Sequence, residues 1–584
     1  MTTEREPAMQ PATDPKTDAT SQSRALLLGA LALLLGKACL LVVASWRVRF
    51  VMDEFSFISQ YLDFGDGLYT VVDPIKTILA ALYFNLPRAA TADPVGLLLG
   101  ARLLGALLGL GILVAVYLAA RRLGEARFEA LLAPALLASF SNFAEHGFRI
   151  RSDLAAAFCA MAGLVALTTV GSAPAERRKS AWLAGCAAGI AFLCTQKAAY
   201  VLAAFLAAAA LAGGLRAWRS SARSVLWLLA GWAAMLAVYA LAFGGAHAAD
   251  VLVAIFRSPS RLALSDYQAF ADLRQYVTQT LVRNPVAYAI GVLGVIAAAR
   301  TWTRLAEGAR RALVVTVVMM TLIFLHNQPW PYVFVLALPF LALWAPTALR
   351  SIATLVPGRA TRTVAAWAML ALVLFSFGRT LRMVALHTND EQLAVVRAAA
   401  SLLGPNERYF DAMGMVPTRR LALAFPDWWW DAPFAARERA RLTAGDAALF
   451  QRLLAGTPKL WILTYRFLPF RSEIAAITRH AYARVGDNLL LAGTRLEPAG
   501  GARFECRWPG RYRLFDLAGK PLGARFRVDD GPETDEAAIA LGSHTVRRVD
   551  GGGEALLLPA DAHDVAALPE TAPVPHLFAE VYDF

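Results

Sequence analysis

The sequence is short of charge. Only 17% of its 584 residues are Asp, Glu, Lys or Arg, against 57% hydrophobic. That is far more apolar side chain than a soluble core of this length can hide, and it implies a lipid solvent. Cysteine is scarce too, and Cys39, Cys159, Cys186 and Cys194 fall in or at the ends of apolar runs, leaving Cys506 alone in the tail. Neither a disulfide framework nor a Cys-type zinc site follows. His146, His247, His326 and His387 are scattered without metal-ligand spacing. A divalent metal is therefore unsupported by the pattern, and no cofactor is implied. There is no Gly-rich phosphate loop, no HExxH, no Gly-x-Ser-x-Gly and no internal repeat. The N-terminal segment mixes acids with bases and lacks the basic start and small-residue cleavage site of a secretory signal. Met1 to Arg24 reads as a disordered cytoplasmic tail.

What the sequence has is apolar runs, almost all of them before residue 381. A helix needs roughly 20 residues to cross a hydrocarbon core. Candidate spans are 25–45, 95–119, 128–143, 153–170, 181–195, 198–214, 225–243, 285–300, 312–325, 332–346 and 363–380. The fold class expected is therefore a multi-pass α-helical membrane protein of about eleven transmembrane helices. The net charge of +13 is spread through short loops rather than gathered on one domain, which argues against nucleic acid as a partner. With the N-terminus in the cytoplasm, Arg121, Arg122 and Arg127, Arg177 to Lys179, Arg216 to Arg223, Arg300 to Arg311 and Arg350 to Arg362 alternate onto the cytoplasmic side. This is the positive-inside pattern.

The opposite loops carry fewer charges, set beside the membrane. The first of them, residues 46–94, has helical apolar spacing at Phe55, Ile58, Tyr61 and Leu62, and a helix-start signature at Asp73-Pro74. Two interfacial helices are expected there. From residue 381 to 584 the composition becomes that of a soluble domain on the non-cytoplasmic side. Buried strands at Arg408 to Met413 and Lys459 to Thr464 suggest a small α/β unit, and short alternating runs between Asp487 and Val528 suggest a β-rich end.

Five segments can carry chemistry. Asp53 and Glu54, just past the first span, sit at headgroup depth, where a partly desolvated carboxylate makes a general base or simply caps the next helix. Arg149 and Arg151 offer forked donors for phosphate oxygens, with Asp153 orienting one of them or capping the following helix; the alternative is a snorkelling pair. In Thr195-Gln196-Lys197, the ammonium of Lys197 either neutralises a lipid phosphate or rests in headgroup water at a tight turn. The turn His326 to Tyr332, with Gln328, reads as a donor-binding edge or an aromatic belt. The triple Trp428 to Trp430 reads as a stacking platform or as core.

Met52-Asp53-Glu54-Phe55, Ile150-Arg151-Ser152-Asp153 and Phe192-Leu193-Cys194-Thr195-Gln196-Lys197-Ala198, in that order and on one face, resemble the GT-C fold membrane glycosyltransferases. The likeness is to the bacterial relatives of protein O-mannosyltransferases and aminoarabinose transferases. It covers about residues 25–380. Ser152 stands where many members have Pro, and Asp73-Pro74 where many have Pro-Pro. The resemblance implies an inverting transfer from a polyprenyl-phosphate sugar donor to a cell-envelope acceptor at the outer face of the cytoplasmic membrane. Asp53 or Glu54 would be the base; Lys197, Arg151 and Arg149 would bind the donor phosphate; Asp153, Gln196, His326 and Gln328 would support them. The competing reading is a membrane transporter or lipid-linked-sugar flippase without transferase activity. Transporters, however, collect charge at the midplane in broken helices, and here it collects at the outer ends.

Overall fold

The computed structural model describes residues 15–69, 77–169, 174–212, 218–264, 274–355, 359–430, 432–498, 500–550 and 552–562, with Val565 and Leu568. Asp73-Pro74 lies outside these residues. Helices stand where the apolar runs are: Pro15–Arg47, Pro94–Arg122, Ser152–Thr168, Pro174–Cys194, Ala199–Leu211, Trp218–Gly244, Pro285–Arg300, Glu307–Phe324 and Arg359–Leu386. The first begins well before the expected span, inside the segment expected to be disordered. Pro15 occupies its first position, and no later Pro or Gly interrupts the chain before the apolar run, so helix extension is cheap.

Among the described residues three helices are long and apolar enough by themselves to cross a membrane, namely Pro94–Arg122, Ser221–Arg257 and Trp367–Leu386. A fourth arises if Gln275–Arg283 and Pro285–Arg300, bent by 90°, count as one span. The expectation of eleven is not reached on this criterion because several runs are short or broken. Run 128–143 divides at Phe140, whose backbone is extended, into Leu132–Ser139 and Ser141–His146. Run 332–346 divides into a 3-10 turn, Pro331–Leu336, and Leu338–Ala342, each with a proline in its first turn.

Where helices approach closely, glycine makes the room. A Cβ on Gly185 would lie 2.0 Å from the Leu228 carbonyl oxygen, and one on Gly231 2.2 Å from that of Trp182, so Pro174–Cys194 and Trp218–Gly244 meet backbone to backbone. Helix Pro94–Arg122 receives the segment 147–149 in the same way. A Cβ on Gly105 would sit 2.5 Å from the Phe148 carbonyl oxygen, and one on Gly109 2.0 Å from that of Gly147.

The helical array has two distinct ends. At one, the basic loops are tied to each other's neighbours: Arg122 donates to Thr169 at 2.8 Å, Arg311 to the Leu167 carbonyl at 2.9 Å, and Arg350 pairs with Glu125 and, at 3.1 Å, with Glu129. At the other lie residues 46–69, which join the exit of the last long helix. Val48 bridges Thr388, Arg49 N–H donates to the His387 carbonyl at 2.9 Å, and the Gln392 side chain brackets Phe50, accepting its N–H at 2.7 Å and donating to its carbonyl at 3.0 Å.

The C-terminal part is an α/β unit followed by a β-rich domain. Its first sheet runs in the order 420–421, 408–410, 460–462, 489–492, 482–486; the first three strands are parallel and the last two antiparallel additions. The expected strands at 408 and 459 thus pair as neighbours, with Tyr409 opposite Leu460. Two antiparallel sheets follow, one ordered 536–539, 510–515, 555–559, 494–496 and one ordered 501–506, 542–548, 526–528. Leu496, Phe504, Tyr512, Leu514, Phe526, Val546 and Leu557 fill their core. Trp428 and Trp430 are wholly buried, Trp430 among Phe410, Phe434 and Phe470, so core is the reading that holds for them.

This domain docks on the loop that follows the first helix. Asp63 accepts from Trp428 Nε1 at 2.8 Å and Phe425 N–H at 3.0 Å, Arg88 donates to the Pro417 carbonyl at 2.6 Å, and Ser59 Oγ donates to the Gly414 carbonyl. Gly414 is itself held where Asp411 accepts the N–H groups of Met413, Gly414 and Met415 at 2.9, 2.7 and 2.6 Å.

Replacing Gly109 by Val should drive a side chain into the Gly147 carbonyl and cost on the order of 3 kcal/mol or more. We expect the monodisperse peak in size-exclusion chromatography to collapse. The control Gly378→Ala, where an added Cβ meets nothing within 4 Å, should leave it unchanged.

Candidate active site

The short helix Met52–Ser59 opens with both acids in its first turn. Glu54 reaches back to cap the helix, accepting the Val51 N–H at 2.9 Å. Its carboxylate then takes Arg102 in a two-point grip at 2.9 and 2.7 Å, Arg149 at 2.9 Å, and the Ile150 N–H at 3.1 Å. The Arg102 guanidinium lies 3.5 Å over the Phe50 ring and donates to the Arg49 carbonyl at 2.8 Å. Arg149 donates to the same carbonyl at 3.0 Å and to that of Glu145 at 2.8 Å. The Glu54 side chain is 0% exposed. Burial alone would push its pKa up, but Arg102 and then Arg149 outweigh it and hold the carboxyl at about 2 against an ordinary 4.5. Such a group stays ionised and is a poor proton acceptor.

Asp53, one residue earlier and so about 100° round the helix, faces elsewhere. It accepts from Arg151 at 2.6 Å, and its side chain is 15% exposed. Arg151 is stacked 3.3 Å over the Tyr332 ring. Lys197 stands 4.9 Å from the same ring, and its ammonium is 3.2 Å from Asp153, in the first turn of Ser152–Thr168. Asp53, Arg151, Tyr332, Lys197 and Asp153 therefore form one connected set, drawn from four separate stretches of chain. Its charges alternate, and Asp53, Lys197 and Tyr332 keep partial access to solvent.

The remaining expected residues lie around this set. His326 pairs through Nδ1 with the Tyr200 hydroxyl at 3.0 Å. Gln196 and Gln328 are half-buried in the turns that carry Lys197 and Tyr332 rather than among the ion pairs. Arg149 sits with Glu54, behind the set. Among the described residues no group of three or more His, Cys, Asp or Glu side chains is placed to hold a metal ion.

Four contributors escaped the sequence reading. Arg102 is a lone cation in an apolar run, a signal that by itself marks a buried partner. Tyr332 was visible only as part of an aromatic turn. Tyr465 and Arg466, from the C-terminal domain, both contact the Met52 sulfur beside Asp53, and no local pattern announces them.

A family model described as dolichyl-phosphate-mannose-protein mannosyltransferase matches residues 91–251. That stretch holds Arg102, Arg149, Arg151, Asp153 and Lys197 but not the acid pair. A second, a domain of unknown function (DUF7055), matches residues 494–559, the extent of the two antiparallel sheets. A sequence comparison with curated proteins gives no match. Among solved structures, ArnT from Cupriavidus metallidurans bound to undecaprenyl phosphate aligns at 15% identity over 79% of this chain and 97% of its own, with a TM-score of 0.53. Its apo state aligns at 15% over 79% and 98%, with a TM-score of 0.52. The Archaeoglobus fulgidus oligosaccharyltransferase tethered to an acceptor peptide aligns at 12% over 78% and 72%, with a TM-score of 0.50. At these identities the likeness is one of fold.

Because Glu54 is held well below its ordinary pKa, its ionised form contributes stability that is complete above about pH 4.5. The contribution is lost as pH falls from there towards 2. Glu54→Gln should therefore be less stable than wild type by roughly 3 kcal/mol at pH 7, with the gap narrowing below pH 4.5. Thermal unfolding in detergent across that range measures it. A gap that does not change with pH would show that charge is not what Glu54 contributes.

Proposed function

We propose that this chain, which carries the GT-C fold, is an inverting glycosyltransferase that moves a sugar from a polyprenyl-phosphate donor to a cell-envelope acceptor. The observation that carries the reading is the convergence of Asp53, Arg151 and Lys197 around Tyr332. The array holds a carboxylate for the acceptor proton beside two cations for a departing phosphate.

In this mechanism the lipid phosphate engages Lys197 and Arg151, competing with Asp53 for the Arg151 guanidinium and freeing the carboxylate. The acceptor hydroxyl gives its proton to Asp53 and attacks the anomeric carbon from the side opposite the phosphate. The new C–O bond forms as the bond to the phosphate oxygen breaks, and its electron pair leaves with the lipid phosphate, where Lys197 and Arg151 stabilise it. Asp153 orients Lys197, and His326 with Tyr200 borders the site. Glu54 and Arg149 act behind it as a clasp that positions Asp53 and Arg151, so of the two acids Asp53 is the base. Gln196 and Gln328 support the turns. The site opens on the non-cytoplasmic side of the inner membrane, because the basic loops gather at the opposite end of the array.

Asp53→Asn should lose roughly 100-fold or more in turnover while still binding the lipid donor, since general base catalysis typically supplies 10² to 10⁴. Lys197→Ala should weaken donor binding itself by on the order of 2 to 5 kcal/mol. Transfer from a labelled lipid donor, with donor binding measured alongside, separates the two effects. Unimpaired transfer in Asp53→Asn, or transport of the donor without any glycosidic product, would refute the reading.

For orientation, a reporter active only in the cytoplasm, fused after Phe584, should be silent. A strongly active fusion would put the proposed site on the wrong face.

A further inference from the structure

Arg466 is buried in the C-terminal domain with 7% of its surface exposed, yet among the described residues no carboxylate pairs with it. Its guanidinium touches the Met52 sulfur, a weak acceptor, and lies 5.3 Å from the ring of its neighbour Tyr465. Its Nε finds no hydrogen-bond partner among the described residues. Leaving a desolvated cation in this condition is expensive. Arg102 and Arg149, buried still more completely, both pair with the Glu54 carboxylate. Arg466 is thus a buried cation held against the helical turn that carries the candidate base, and the Asp53 charge reaches the hydroxyl of its neighbour Tyr465. Tyr465 stands with it, its hydroxyl also on the Met52 sulfur; burial raises its pKa, so the hydroxyl stays a donor.

Asp53 meets Arg151 through its carboxylate and Arg466 through the preceding residue. In an in-line displacement the leaving phosphate and the attacking hydroxyl lie on opposite sides of the anomeric carbon, with the base on the hydroxyl's side. With Arg151 and Lys197 on the phosphate, Arg466 is left to the acceptor. We propose that Arg466 and Tyr465 form an acceptor-side anion site, so that the acceptor carries an oxyacid group, phosphate or carboxylate, next to the hydroxyl it offers. This rests on the transferase reading above, and it makes the C-terminal domain part of the substrate site.

The test uses the full chain in liposomes, a labelled polyprenyl-phosphate sugar, and a cell-envelope extract as acceptor. The extract is used untreated, phosphatase-treated, or amidated with carbodiimide to cap carboxylates. Arg466→Met should keep its binding of undecaprenyl phosphate and hold or raise its Tm, because it removes an unpaired buried charge. It should nevertheless need at least 10-fold more extract for half-maximal transfer, and Arg466→Lys should recover most of that loss. The treatment that removes the anion should impair wild type by a similar factor and leave Arg466→Met unaffected, which tells phosphate from carboxylate. Normal transfer by Arg466→Met, or wild-type transfer indifferent to both treatments, overturns the proposal. Loss of undecaprenyl phosphate binding in Arg466→Met overturns it by moving the residue to the donor side, and a lowered Tm without rescue by Lys does so by making it structural. If the wild type transfers nothing, the transferase reading fails first and this inference falls with it.

Discussion

The site depends on one buried carboxylate. Glu54 joins three pieces of chain through one charged group: the start of the helix at Met52, the span carrying Arg102, and the 149–150 segment. A buried ion cluster of this kind is a weak source of net stability, since desolvation offsets most of the attraction. Its strength lies in selectivity. Two guanidiniums that cannot lose their charge accept only an arrangement in which the carboxylate is present, so alternative packings of the loop are penalised heavily.

Neighbouring residues on the same helical turn consequently do different work. Glu54 points inward and is fully engaged, while Asp53 points to the connected set around Tyr332. The Arg149 and Arg151 pair divides in the same way, because the backbone turns through residues 147–150 before Arg151 extends into the next helix. One arginine goes to the clasp and the other to Asp53. The rigidity of the first pair fixes the aim of the second, which a site requiring well-held geometry needs.

The segments around Asp53, Arg151 and Lys197 were legible because charge beside an apolar run is conspicuous and lipid makes it costly. Which acid does which task was not, since one position on a helix changes direction but not composition. Arg102, a lone cation in its apolar run, signalled a buried partner, but its sequence neighbours do not say which one. The breaks at Phe140 and among the residues after Pro331 were invisible to a reading that measures run length and cannot see where the backbone turns. In the C-terminal domain the strands at 408 and 459 hold short apolar cores, Tyr409-Phe410 and Leu460 to Ile462, and were readable, whereas Glu536–Ile539 and Gly542–Arg548 alternate weakly between exposed charges. Arg466 has no local signature at all; only the docking of two distant segments gives it a place.

The seam between Val48 to Phe50 and His387 to Gln392 also has a bearing on biosynthesis. The partners in it lie 342 residues apart at Phe50 and Gln392, and translation proceeds at about 5–20 residues per second. The loop bearing Asp53 and Glu54 is thus made tens of seconds before the segment that braces it, His387 to Gln392, exists. During that interval it must be sheltered by lipid or by the insertion machinery, and a ribosome stalled before residue 387 would release a bundle whose acid pair lacks its brace. The brace on the acid pair is therefore complete only in chains made past Gln392, about two thirds of the way along the sequence.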